Sequence, residues 1–169
     1  MKKMNSTLDH LIGLLRQETG LYRSLLVVID QEKEAAVRSD VNTLNETGID
    51  KEKQLLEIQK KEKRRCQLVA SLAEELGYTA PDLTLTGISQ LVDEPHAGNL
   101  RRVSKDLLSV LSQVQAANLR NRQIFQHSLE LLRGSLNLLN ELMTPNTVYY
   151  RSGNIQSTKS TGKCVCSEI

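Results

Sequence analysis

The chain has 169 residues, the length of one domain, with no Trp and a single Phe. Leu, Ile, Val and Ala must therefore fill its core, which suits narrow helix–helix seams better than a deep interior built on aromatic side chains that bury about 150–250 Å² each. Its 22 basic and 20 acidic residues leave a net charge of +2, too weak a field to argue for nucleic acid or an acidic membrane as partner.

No apolar run approaches the roughly 20 residues that span a bilayer. The opening MKKMNSTLDHLIGLLRQETG turns polar after its lysines, so the reading is no signal peptide, no stable membrane insertion and a cytoplasmic protein. Cys66, Cys164 and Cys166 lack zinc spacing and fit a reducing compartment. The final Cys166-Ser-Glu-Ile has the outline of a prenylation box, but its polar, acidic middle argues against lipidation.

Ser6 or Thr7 offers an N-cap for a first helix. Its apolar residues, Leu8, Ile12, Leu15, Tyr22, Leu26, Ile29 and Ala36, recur in steps of three and four with gaps at Thr19 and Lys33, which predicts one buried stripe. Gly13 and Gly20 interrupt it at about 1 kcal/mol each relative to Ala; they either permit close packing or are tolerated weaknesses.

Asp40 caps a second helix, Val41 to about Leu76, with a seam of Val41, Leu44, Gly48, Leu55, Ile58, Val69, Leu72 and Leu76. Its middle, KEKQLLEIQKKEKRRCQ, alternates charge at spacings that pair along a helix surface, so this helix should be long, solvated and thinly buried at its centre. Gly77 stops it. Thr86 then caps a short helix from Gly87 to about Asp93 that buries Ile88, Leu91 and Val92, and Glu94-Pro95 ends it.

The last helix runs from about Asn99 to Met143 along Leu100, Val103, Leu107, Leu111, Val114, Ala117, Asn121, Phe125, Leu129, Leu132, Leu136 and Leu139. Residues 144–169 lose Leu and Ile to Ser, Thr, Gly and Lys, which predicts a flexible tail after a helical domain of residues 1–143. The fold class is all-α: long antiparallel helices in a coiled-coil-like three-helix bundle, with a short connector helix.

Chemistry is sparse. His10, His96 and His127 have no metal-ligand spacing, and no phosphate-binding or nucleophile motif is present, so neither an enzyme nor a cofactor or metal is expected. The cations of residues 60–65 are interleaved with Glu62 and lack aromatic neighbours, which favours a solvated helix face over a nucleic-acid patch.

The informative stretch begins at Ile124. A second apolar stripe, Ile124, Leu131, Leu138 and Leu142, lies about 100° around the helix from Phe125, Leu132 and Leu139. One stripe suits the bundle. The other is covered by the connector helix or left open to a partner, as exposed apolar patches commonly are. Asn118 and Asn121 sit on or beside the seam just before it, where a buried Asn sets register.

LDHLIGLLRQETGLYRSLLVVIDQEKEAAVRSDVNTLNE, then KEKQLLEIQKKEKRR ending in LAEELG, then AANLRNRQIFQHSLELL with its Asn118-x-x-Asn121 pair, and Tyr149 or Tyr150 followed by Gly153, together resemble the FlgN-type flagellar export chaperones over about residues 5–154. The resemblance implies a cytoplasmic chaperone that holds the carboxy-terminal helical segments of hook-associated (hook–filament junction) proteins, prevents their early assembly and delivers them to the export gate. Carried over by position, it implies a cargo surface of Phe125, Leu129, Leu132, Leu136 and Leu139, with Ile124, Leu131 and Leu138 beside them, and docking to the gate through Tyr149 or Tyr150. The competing use of the same leucines is self-association, as a homodimer or a coiled-coil scaffold.

Overall fold

The computed structural model describes residues 2–78 and 84–143. They form four helices, α1 (Lys2–Arg38), α2 (Val41–Leu76), α3 (Leu85–Leu91) and α4 (His96–Met143), and no strand among the described residues. Contacts group residues 1–124 into one compact unit and residues 125–169 into a second. The expected tail, residues 144–169, lies outside the described residues.

One left-handed cap and one N-cap set the α1–α2 hairpin. Ser39 has φ 56°, and its N–H donates to Ala36 O while that of Asp40 donates to Ala35 O, closing the last turn of α1. Asp40 then opens α2: its Oδ1 accepts from Thr43 N at 3.1 Å and its Oδ2 from Thr43 Oγ1 at 2.6 Å. These bonds favour the ionised form and hold the Asp40 carboxyl below its ordinary range. Gly77, φ 75°, ends α2 through the same kind of paired bonds to Glu74 and Ala73. The boundaries expected for α2 are the ones observed.

Three other helix ends differ from expectation. α1 begins at Lys2, so Ser6 and Thr7 are interior rather than capping; Met4, one turn before Leu8, packs on the core and carries the helix back. α3 is capped by Thr84, not Thr86: Thr84 Oγ1 accepts from Gly87 N at 3.0 Å, and Leu85 packs against the core. α4 starts at His96 rather than Asn99, because Glu94 folds its carboxylate back onto Gly98 N (2.9 Å) and Arg101 (2.6 Å), satisfying a free donor of the first turn.

Within the first unit α1 runs antiparallel to α2, shown by Gln17–Lys61, Glu18–Arg65, Tyr22–Glu62 and Glu32–Lys51 pairs. It runs parallel to α4, shown by Asp9–His96 and Ile29–Asn121. The order up, down, up is that of a three-helix bundle with antiparallel successive helices. Because α1 borders both other long helices, its buried surface is wider than the single stripe expected. Leu11 and Ile12, Leu14 and Leu15, Glu18 and Thr19, and Val28 and Ile29 are buried as adjacent pairs. α4 between His96 and Asn121 buries Ala97, Leu100, Val103, Leu107, Val110, Val114, Ala117 and Asn121, no two of them adjacent; Val110 takes the place expected of Leu111. α2 is the thin helix anticipated: between Thr47 and Leu72 only Ile58 is buried, while Val41 and Leu55 of the expected seam are exposed.

Among the described residues the core has two apolar clusters. One joins Leu8, Leu11, Ile12 and Leu15 to Leu72, Ile88, Val92, Leu100 and Leu107, among others. The second joins Leu25, Ile29, Ile58, Val110, Val114 and Ala117. Between them Arg65 Nε donates to both oxygens of Glu18, at 3.0 and 3.2 Å, and Tyr22 Oη donates to Glu62 at 2.7 Å. The Glu18 side chain is 1% exposed and that of Arg65 26%. Burial raises the Glu18 carboxyl above its ordinary value of 4.5, with Arg65 opposing, and burial together with the bond to Glu62 pushes the Tyr22 hydroxyl well above 10. Past the second cluster, Asn121 Nδ2 donates to Ile29 O (2.8 Å) and to Glu32 (3.0 Å), which also accepts from Lys51 (2.8 Å). Gly13 and Gly20 pack against nothing within 4 Å of where a Cβ would stand, so the close packing considered for them is absent.

Candidate functional site

The second unit is described from Phe125 to Met143, the carboxy-terminal part of α4. A helical period of about 100° per residue places Ser128, Leu131, Ser135, Leu138 and Leu142 in one row and Leu129, Leu132, Leu136, Leu139 and Met143 in the next. Gln126, Glu130, Arg133, Asn137 and Glu141 fall on the opposite side, so the segment is amphipathic with an apolar arc of about 180°.

Six of the eight residues expected to take cargo are more than half exposed: Leu129, Leu131, Leu132, Leu136, Leu138 and Leu139 lie between 51% and 62%. Ile124 and Phe125 are half-buried. Leu142 and Met143 are more exposed than any of these, at 77% and 69%. Leu142 was legible in the second stripe; Met143, one step of four beyond Leu139, was legible by the same count and was missed.

Ile88 and Val92 belong to the cluster with Leu8 and Leu100, and Leu91 is 44% exposed. From Leu129 onward the leucines of both rows are exposed. The segment offers little polar recognition. Ser135 Oγ donates back to Leu131 O at 2.9 Å, which satisfies the hydroxyl internally. A Cβ at Gly134 would meet nothing within 4 Å. What the arrangement can do is bury apolar area against another helix; it holds no group poised for covalent chemistry.

Elsewhere, some of the features singled out from the sequence have structural partners. In the basic run Lys60 pairs with Glu57 (2.7 Å), Lys61 donates to Gln17 (2.8 Å) and Arg65 pairs with Glu18. His96 meets Asp9 at 3.2 Å, while His10 and His127 are exposed. Asn118 is exposed and Asn121 buried, so only the second can set register. Cys66 is free and exposed. Tyr149, Tyr150, Cys164 and Cys166 lie outside the described residues. No described helix is long and apolar enough to cross a membrane.

The family model described as FlgN protein matches residues 1–157. No curated protein and no solved structure matches the chain. The family match spans the helical bundle, the whole of α4 and the exposed leucine rows, and on that breadth the chain belongs to the FlgN family, which carries a flagellar export chaperone role.

Proposed function

We propose that this protein binds hook-associated proteins in the cytoplasm through α4 residues Ile124, Phe125, Leu129, Leu131, Leu132, Leu136, Leu138 and Leu139, keeps them from assembling early and delivers them to the export gate. The observation that carries the reading is the exposure of both leucine rows in a family of export chaperones. The client element that suits such a surface is an amphipathic helix, here the carboxy-terminal helical segment of a hook-associated protein, which buries its apolar face in the rows. Burying ~400 Å² of apolar surface at ~25 cal/mol per Å² yields ~10 kcal/mol gross. Ordering the segment and losing translational freedom offset much of that, leaving an affinity moderate enough for release. Docking at the gate is assigned to Tyr149 or Tyr150.

The test is calorimetric titration of the full chain with a peptide carrying that carboxy-terminal segment. Leu132→Asp with Leu139→Asp should weaken binding at least tenfold while far-UV circular dichroism stays unchanged; undiminished binding would remove the assigned surface. Tyr149→Ala and Tyr150→Ala should each leave this binding intact, and one of them should lower export of the client in cells. Self-association is the second reading, favoured by the alternating steps of four and three in Phe125, Leu129, Leu132, Leu136 and Leu139, a seam that also suits a coiled coil between copies. Sedimentation of the chain alone at rising concentration separates the two.

A further inference from the structure

The molecule contains its own example of what a doubled apolar row is for. In α1 most buried residues come as adjacent pairs: Leu11/Ile12, Leu14/Leu15 and Glu18/Thr19 follow one another in steps of three and four and Val28/Ile29 lies further along, while Leu8, Leu25 and Ala35 are buried singly. α1 also exchanges hydrogen bonds with two helices, α2 through Gln17, Glu18 and Tyr22, and α4 through Asp9 and Ile29. α4 between His96 and Asn121 buries no adjacent pair. A single stripe of about 100° meets one apolar surface; two stripes offset by one residue meet two.

Residues 128–143 repeat the α1 pattern: Ser128/Leu129, Leu131/Leu132, Ser135/Leu136, Leu138/Leu139 and Leu142/Met143, again in steps of three and four. Every member but the half-buried Ser128 is exposed. One client helix seated on this arc would cover one row and leave the leucines of the other in water. The rows also differ in depth. Leu129, Leu132, Leu136, Leu139 and Met143 are uniformly large, whereas Ser128 and Ser135 alternate with Leu131 and Leu138, leaving recesses for large side chains of a closely approaching helix.

We infer that residues 128–143 are the central helix of a three-helix assembly whose other two members are a pair of amphipathic helices presented by one client. This rests on the reading of the segment as the cargo surface. An isolated client helix can lie on either row; in the intact client one helix takes the uniform leucine row and the other the row in which Ser128 and Ser135 leave room for its large apolar residues. A single further copy of this chain brings only one such segment, so a pair of copies hides one row of each and leaves the other open.

The experiment is a stoichiometry. A peptide carrying the single carboxy-terminal helical segment of a hook-associated protein, titrated into the full chain, should saturate at two per chain. Leu132→Asp with Leu139→Asp should reduce this to one, Leu131→Asp with Leu138→Asp should also reduce it to one, and all four changes should reduce it to none, with helical content unchanged throughout. The whole client should bind one to one and lose at least tenfold in affinity with either pair of changes. Saturation at one peptide, indifferent to Leu131→Asp with Leu138→Asp, would overturn the two-helix reading and leave the cargo surface standing. Absence of any binding would remove both. Sedimentation of the chain alone as a trimer that either pair of changes dissociates would give the two rows to copies of this chain and overturn the inference.

Discussion

Two stretches of α4 meet opposite fates. Residues 96–121 carry apolar side chains in one row, and eight residues of that row, Asn121 included, are buried. Residues 128–143 carry them in two rows, and none of the eight large apolar side chains there is less than half exposed. The comparison teaches that burial follows the number of neighbours a helix has, not its hydrophobicity. A row fitted to one neighbour is satisfied inside the first unit, while a doubled row is satisfied in α1, which has two.

The largest expected effects lie in the buried stretch and set the scale of the contrast. Leu15→Ala, at a fully buried position, should cost about 3 kcal/mol or more in urea unfolding, the usual range for an emptied leucine site. Leu132→Ala, on the exposed rows, should stay within about 0.5 kcal/mol. Equal losses at the two positions would break the comparison. Arg65→Ala should cost about 3 kcal/mol, the low end for a severed buried ion pair, since a quarter of the Arg65 side chain reaches solvent. Glu18→Leu combined with Arg65→Leu should recover most of that loss, because both desolvation penalties go together.

The pH dependence sharpens the same point. Burial raises the folded-state pKa of Glu18 above 4.5, so the stability tied to its protonation is complete below 4.5 and is lost as pH climbs through the raised value. Urea midpoints of the parent chain should fall across that rise, and Glu18→Gln should flatten the slope. Asn121→Val, which removes the bonds to Ile29 and Glu32, should cost about 1–2 kcal/mol. Ser39→Gly should add about 1 kcal/mol by relieving a left-handed backbone, φ 56°, that only glycine adopts freely. A loss of stability there would mean that the serine side chain contributes to the turn.

Local chemistry made α2 legible from end to end: the Asp40 carboxylate caps its first turn and Gly77, in the left-handed region, ends it. It failed at Thr84 against Thr86, where two equal caps lie two residues apart and packing of Leu85 decides. It failed at the start of α1 because Met4 has a place in the core that no capping rule foresees. The doubled row at 124–143 was visible as spacing alone, yet the same signature at Leu11/Ile12 and Leu14/Leu15 was read as a single stripe. Periodicity reports which residues are apolar, not how many helices will come to meet them. The Glu18–Arg65 contact was out of reach for a related reason: 47 residues separate its partners, and their meeting depends on the register of α1 against α2.

That ion pair and the Asn121–Glu32–Lys51 group act as notches between otherwise interchangeable rods. Were α1 to slide along α2 by one heptad, leucine would still face apolar neighbours, but the Glu18 carboxylate would come to rest seven residues from its guanidinium. A foreign amphipathic helix offered to the bundle in place of α2 meets the same obstacle, since it would need a cation at the level of Glu18 and another at Glu32. Leucine alone makes helices exchangeable; the charges keep this protein's own helices from being swapped for a stranger's.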